Sequence, residues 1–312
     1  MHELILHHYP QSPFAEKARL LLGFKQLSWR SVLIPPIMPK PDLTALTGGY
    51  RKTPVLQVGA DIYCDTALIA RRLEAEKHTP ALFPEGQELA VSAMAAWADS
   101  TLFLHAVALA FQPEAIALRM ASMPPEMAQA FIKDRQGLFS GGSAQRVPLE
   151  QAKQHWPTFM QRLSQQLARG AGDYLLGEPS LADIAMAHPV WFLMQNPVTA
   201  PLVDGDETIN AWYQRVMAFG HGAFEPLKGD EAVAIAAQAT PQALPDTPVW
   251  PLPGVTLGQT VQVAASDYGV DAVSGELLHA DSESLIIRRT DERAGTVHVH
   301  FPRINFVVTP AN

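Results

Sequence analysis

The sequence predicts a chain of three parts: an α/β domain over residues 1–80, an all-α domain over 86–239, and a small all-β, barrel-like appendage over 254–312. Three observations lead there. Through the first 80 residues, short apolar runs of strand length alternate with helical apolar spacing. From Glu88 to about Ala239 the spacing is almost wholly helical. Beyond residue 253 it changes to short runs divided by Asp-, Gly- and Pro-containing turns. Breakers lie between the parts: Pro80, Pro84 and Gly86 within His78–Gln87, and five prolines within 240–253, which read as a stiff tether.

Composition narrows the partners. A chain of 312 residues, 47% hydrophobic, has ample material for a core and length for two or three domains. Its net charge of −8 argues against nucleic acid or an anionic membrane as a partner. The one cysteine, Cys64, permits no intramolecular disulfide, and Met1-His2-Glu3 brings no basic signal-peptide start, so a cytoplasmic protein is expected. The longest apolar stretch, Leu89–Phe111, is interrupted by Asp99 and His105. An aspartate at the centre of a membrane span costs about 3 kcal/mol, so this stretch reads as a buried helix.

Taken in order, Leu4-Ile5-Leu6 reads as a buried strand, and Phe14, Ala18, Leu21 and Leu22 mark one face of a following helix. Ser12 and Pro13 stand between them. Serine is a favoured N-cap, and proline suits the first helical position because its missing N–H has no partner there. Ser12 therefore belongs at a helix mouth, where free N–H groups and the helix dipole favour an anion such as a thiolate. Ser28–Ile34 reads as a second strand, and the prolines at 35, 36, 39 and 41 make 35–50 mostly loop, or a poor helix. Thr53–Val58 is a strand entered through Pro54, and Ile62-Tyr63-Cys64 returns after a turn at 59–61. Asp65 and Thr66 open a helix carrying Leu68, Ile69 and Leu73.

In the helical part, Glu88–Phe111 is one long helix, Pro124–Gln136 a second, and Pro148–Arg169 a third that Pro157 should kink or split. Ser180 and Asp183 have capping-box spacing ahead of an apolar run, with Pro189 expected to kink or end that helix. Thr208–Phe219 and Gly229–Ala239 complete the set. The expected strands beyond the tether are Gln259–Ala264, Ala272–Leu278, Ser284–Arg289, Thr296–Phe301 and Ile304–Val308. With eight acidic and four basic residues between 240 and 312, this appendage is a poor phosphate binder; packing against the body or a partner chain is its expected role. His298 and His300 alternate on one strand face, but no third ligand stands near, so no metal is expected.

The β-α-β, loop, β-β-α order resembles the thioredoxin fold. Ser12-Pro13-Phe14-Ala15 occupies the frame in which glutaredoxins carry Cys-Pro-x-Cys, with both sulfurs absent. Over about residues 1–235 the chain more closely resembles glutathione transferases of the serine-using, tau- and zeta-like type, which normally lack the β appendage. That resemblance implies glutathione as co-substrate and a homodimer. Ser12 would donate to the glutathione sulfur, with Phe14 beside it. Thr53, ahead of a cis Pro54, would hold the cysteinyl backbone. Asp65-Thr66, in place of Glu/Gln-Ser, would grip the γ-glutamyl end. Arg51 or Lys52 would hold the glycyl carboxylate or else be solvated loop charges, with Lys40 a further candidate. Tyr9 is the rival to Ser12, since some classes use a tyrosine near the end of the first strand. The thiolate would attack a small apolar electrophile against the Trp97–Phe111 face. Two other readings stand beside this one: a non-catalytic scaffold, and a thiol oxidoreductase, for which Cys64 is the one sulfur at hand.

Overall fold

The computed structural model describes residues 3–121 and 123–311. Strand β1 (Leu4–His8) leads to α1 (Pro13–Phe24), β2 (Ser28–Leu33), α2 (Pro41–Thr47), β3 (Val55–Val58), β4 (Asp61–Cys64) and α3 (Thr66–Glu76). β1 pairs parallel with β2 and antiparallel with β3, and β3 pairs antiparallel with β4, which is the thioredoxin-like arrangement. The 35–50 stretch is less irregular than its prolines suggest. Pro41 sits in the first turn of α2, where a missing N–H costs nothing, and Gly48 closes the helix in the left-handed region at φ 80. Leu43, Ala45 and Leu46 are buried on the inner face of α2.

The helical domain comprises α4 (Glu88–Trp97), α5 (Phe103–Ala110), α6 (Pro113–Met120), α7 (Pro125–Leu138), α8 (Leu149–Arg169), α9 (Leu181–Met194) and α10 (Glu207–Met217). The 88–110 stretch is the expected long helix, with one π turn at Ala98–Leu102 joining α4 to α5. It is long and apolar enough to cross a membrane by length and composition. Its residues Val91, Ala95, Ala98, Leu102, Ala106 and Leu109 belong to the protein core.

Neither interior proline divides its helix. Pro157 lies on the exposed side of α8, so the carbonyl it orphans, that of Lys153, faces water, while Trp156, Met160, Leu163 and Leu167 anchor the buried side. Pro189 lies in α9, which is buried almost all round. The carbonyl it orphans is that of Ala185, and His188 Nδ1 donates to it at 2.7 Å. A side chain thus replaces the lost backbone donor.

The Ser180–Asp183 capping box opens α9 as the spacing predicts. Asp183 is fully buried, and burial pushes its carboxyl pKa up. Four donors oppose that cost: the N–H groups of Leu175 (2.9 Å) and Ser180 (3.1 Å), Ser180 Oγ (3.3 Å) and Trp212 Nε1 (2.9 Å).

A short strand that the sequence did not announce, β5 (Ala223–Pro226), pairs parallel with β2 and precedes α11 (Gly229–Gln238), which packs on α2. The C-terminal strands are β6 (Thr260–Ala265), β7 (Val273–Ala280), β8 (Ser284–Asp291), β9 (Gly295–Pro302) and β10 (Phe306–Pro310), close to the expected bounds. They do not close into a separate barrel. β9 pairs parallel with β4, so ten strands form one sheet in the order β10-β6-β7-β8-β9-β4-β3-β1-β2-β5. The seam is sealed by His300, whose Nε2 bonds Asp61 Oδ1 at 2.8 Å and whose ring stacks on Tyr63 at 4.3 Å. One apolar core runs across it, from Ile5, Val55 and Ile62 to Val297, Val299 and Phe301.

Removing the Asp183 carboxylate strands four donors in the interior. Asp183→Ala is expected to cost about 3–5 kcal/mol in urea unfolding, against about 1 kcal/mol for Ser180→Ala. A D183A protein within 1 kcal/mol of the parent would show that this carboxylate does not fix the start of α9.

Candidate active site

The mouth of α1 is held from behind. Arg19 Nη2 donates to the Pro10 carbonyl at 2.9 Å, and Arg19 also bonds Glu16 Oε2 and His8 Nδ1 (3.0 Å). Because His8 Nδ1 accepts, its Nε2 carries the proton and donates to Ser31 Oγ at 2.9 Å. Burial first, then the Arg19 charge, lowers the His8 pKa to about 3, so the ring stays neutral. His221 closes the web on Glu16 Oε1 at 2.9 Å. The Tyr9–Gln11 turn in front of this web presents Ser12 as the N-cap of α1, its Oγ accepting from Ala15 N at 3.2 Å. The Ser12 hydroxyl proton has no acceptor among the described residues.

Two cavities meet in front of this turn. The first, about 680 Å³, lies between Tyr9, Ser12 and Phe14 on one side and Phe103, Phe111 and Phe192 on the other. The second, about 650 Å³, has Pro54, Asp65 and Thr66 on one wall and Lys17 and Asp99 on another, closed by Ile304 and Asn305 from the C-terminal strands. Phe14, Lys52, Thr53 and Tyr268 line both, so they stand where the two cavities adjoin.

Tyr9 and Ser12 thus face the first cavity, Pro54, Asp65 and Thr66 face the adjoining second one, and Phe14 and Thr53 face both. The Thr53–Pro54 peptide bond is cis. Asp65 caps α3 by accepting from Ala67 N at 2.9 Å, at φ 74 and ψ 140. A non-glycine residue in that region carries a backbone cost of order 1–3 kcal/mol, of the kind that collects at ligand sites. Of the expected electrophile wall, Phe103, Val107 and Phe111 face the first cavity. Trp97 instead packs edge-on against Phe159 at 5.3 Å.

The basic residues divide differently from the sequence expectation. Arg51 bonds Asp134 Oδ1 at 2.9 Å and the Asp134 carbonyl at 2.8 Å. Lys52 is paired with Asp267 at 2.5 Å and lies 4.2 Å from the Tyr268 ring centroid. Both are matched by carboxylates from distant parts of the chain. Lys40 has no carboxylate partner among the described residues; it donates to Thr53 Oγ1 at 3.1 Å and lines the first cavity. Burial, then the neighbouring Arg135 charge, lowers its pKa to about 8.

Cys64 is fully buried on β4, and burial raises its thiol pKa well above the ordinary value. It lines neither cavity. The sulfur that the oxidoreductase reading needs is thus neither exposed nor acidic.

Three contributors escaped the sequence reading. Tyr268, on the β6–β7 loop, stacks on Phe139 at 4.8 Å and lines both cavities. Burial and the nearby acids hold its phenol pKa well above the ordinary value, so it remains a donor. Lys17 pairs with Asp99 at 2.5 Å on the π turn. Asp99 Oδ1 is buried without a partner, and burial raises the pKa of that carboxyl. Arg119, on α6, completes the far wall of the first cavity. The one advance signal was Asp99, a charge inside an apolar run. Among the described residues no cluster of three or more His, Cys, Asp or Glu side chains has metal-binding geometry.

Residues 6–81 match the family model of the glutathione S-transferase N-terminal domain. No curated protein matches the chain. A GST-like protein from Pseudomonas syringae, known from its crystal structure, is 55% identical over 100% of both chains, with a TM-score of 0.84. The match therefore takes in the C-terminal strands. A glutathione S-transferase from Sinorhizobium meliloti 1021 shares 18% identity over 69% of this chain and 88% of its own, with a TM-score of 0.52. A glutathione transferase from Populus trichocarpa shares 14% over 69% of this chain and 93% of its own, with a TM-score of 0.51. These two share the fold. With 55% identity to a GST-like protein from end to end, the chain belongs to the glutathione S-transferase superfamily.

Proposed function

We propose that this protein is a glutathione transferase of the serine type. The reading rests on one observation: Asp65–Thr66 and Pro54 line one cavity, Ser12 and an aromatic wall line a second, and the two adjoin at Thr53. The γ-glutamyl end lies at Asp65 and Thr66, where a carboxylate meets the ammonium and the mouth of α3 meets the carboxylate. The cysteinyl backbone passes Thr53 beneath Tyr268, which donates its phenol hydrogen to the peptide. The glycyl carboxylate goes to Lys40, because Arg51 and Lys52 are already neutralised.

The sulfur sits at the mouth of α1. There the Ser12 hydroxyl, whose proton is unspent, and the helix dipole favour thiolate over thiol. Lowering an ordinary thiol pKa of about 8.5 by one to two units requires about 1.4–2.7 kcal/mol, within reach of a charge-assisted hydrogen bond plus a dipole. The thiolate then attacks an electrophile held against Phe103, Phe111 and Phe192. A cytoplasmic setting agrees with a single buried thiol. A homodimer would have to use a face other than the β4 edge, which β9 occupies. The scaffold reading keeps one argument in its favour: Asp134 and Asp267 already occupy two cations that a tripeptide would otherwise use.

Ser12→Ala is expected to lower kcat/KM for glutathione with 1-chloro-2,4-dinitrobenzene about 10- to 100-fold and to raise the bound-thiol pKa by about one to two units. A silent S12A beside an inactive Tyr9→Phe would transfer the role to Tyr9. Binding of glutathione with no conjugation across an electrophile panel would favour the scaffold.

Lys40 is a cation below its pKa of about 8 and loses its charge above it. Affinity for S-methylglutathione, measured by calorimetry, should therefore weaken from pH 7 to pH 9. Lys40→Met should be about 10-fold weaker than the parent at pH 7 and converge with it at pH 9. Parallel pH curves for the two proteins would remove Lys40 from the site.

Tyr268→Phe keeps the ring between Lys52 and Phe139 and removes only the hydroxyl. A loss of S-methylglutathione affinity of about 5-fold, with an unchanged melting temperature, is the expected result. Equal affinities would show that the phenol does not meet the peptide.

A further inference from the structure

The first cavity is aromatic in shape but not neutral. Five basic side chains line it, Lys40, Arg51, Lys52, Arg119 and Arg135, and no aspartate or glutamate does. This stands against a chain whose net charge is −8. Three of these five side chains are paired with carboxylates just outside the wall. Asp134 bonds Arg51 at 2.9 Å and Arg135 at 3.1 Å, and Asp267 bonds Lys52 at 2.5 Å. Lys40 and Arg119 have no carboxylate partner among the described residues.

These two cations serve different ends of the cavity. Lys40 stands beside Thr53, where the tripeptide passes. Arg119 stands on α6, within the aromatic wall opposite Ser12. Its guanidinium lies 5.1 Å from the Phe192 ring centroid and 5.8 Å from that of Phe111. It is half-buried and makes no hydrogen bond or ion pair among the described residues. A guanidinium beside two phenyl rings and without a hydrogen-bond partner has its donors free, and those donors form a fork that fits a planar anion. An aromatic ring seated against Phe103 and Phe111 would bring a ring substituent to that fork.

We infer that the acceptor substrate is an aromatic electrophile bearing a carboxylate, with Arg119 as the residue that binds the carboxylate. Burial lowers the Arg119 pKa from its high ordinary value without bringing it near neutrality, so the charge is always present. The inference rests on the glutathione reading for the attack itself, but not for recognition of the acid. In the test reaction, the glutathione thiolate attacks the chlorine-bearing carbon of 4-chloro-3-nitrobenzoate. A C–S bond forms, the C–Cl bond breaks, chloride leaves with the bonding pair, and the thiol proton goes to water.

The test compares 4-chloro-3-nitrobenzoate with its methyl ester, each kcat/KM divided by the uncatalysed rate constant with glutathione. The parent protein should favour the acid by 10-fold or more, as expected for a charge-assisted hydrogen bond. Arg119→Met should abolish that preference, and Arg119→Lys should keep part of it. Binding of the acid alone, followed by isothermal titration calorimetry, should weaken by a similar factor in R119M. Turnover with no preference for the acid, or an acid preference unchanged in R119M, would overturn the inference and leave the glutathione reading standing. Arg119-dependent binding of the acid without any conjugation would do the reverse.

Discussion

The parallel pairing of β9 with β4 is the constraint on which the rest of the molecule depends. Three residue pairs, Asp61–His298, Ile62–Val299 and Tyr63–His300, turn the edge of a thioredoxin-like sheet into its middle. Sheet edges are places where unpaired N–H and C=O groups seek a partner, and here the chain supplies its own. The pairing also delivers the β6–β7 loop to the mouth of the site. There the loop is pinned to the helical domain by bonds from Gly269 to Leu138, Ser143 to Ser266 and Ala144 to Asp267. Each of the three parts of the chain thus contributes a wall to one space.

Electrostatics in that space follow from where its acids come from. A cluster of basic side chains around one cavity would repel itself if left alone. Asp134 from α7 and Asp267 from the β6–β7 loop pair with three of them through short bonds. Lys40 and Arg119 are left without a carboxylate partner among the described residues. On the opposite side, Lys17 and Asp99 form a buried pair at the π turn, and Asp99 keeps one oxygen without a donor. An uncompensated carboxylate oxygen in a cavity wall is costly in the empty protein, and it favours a ligand that brings a donor.

The features readable from the sequence were those fixed by near neighbours in the chain. Ser12 before Pro13, Pro54 at a strand entrance, Asp65–Thr66 and the Ser180–Asp183 box are caps and entries whose geometry is decided within about four residues. The helix α2 was hidden because four nearby prolines read as breakers, although Pro41 occupies the position where proline does no harm. The strand β5 is four exposed residues ending in proline, and only its pairing with β2 makes it a strand. Neither helix proline splits or ends its helix: one orphaned carbonyl lies on an exposed face, and His188 donates to the other. What no local pattern could reveal were contacts across the chain. Lys52 meets Asp267, Arg51 meets Asp134, and Tyr268 comes to line both cavities through the pairing of β9 with β4 and the bonds of its loop to the helical domain. The charges at Arg51 and Lys52 were visible, but the partners that occupy them were not.

The wall carried by the β6–β7 loop has a consequence for biosynthesis. Ser12, Thr53 and Asp65 leave the ribosome well before β9, which anchors that wall. Until it emerges, the nascent protein holds a bare strand at Cys64's sheet edge and an unroofed pocket. The later segment therefore covers a border that would otherwise offer unpaired N–H and C=O groups, and it completes the chamber.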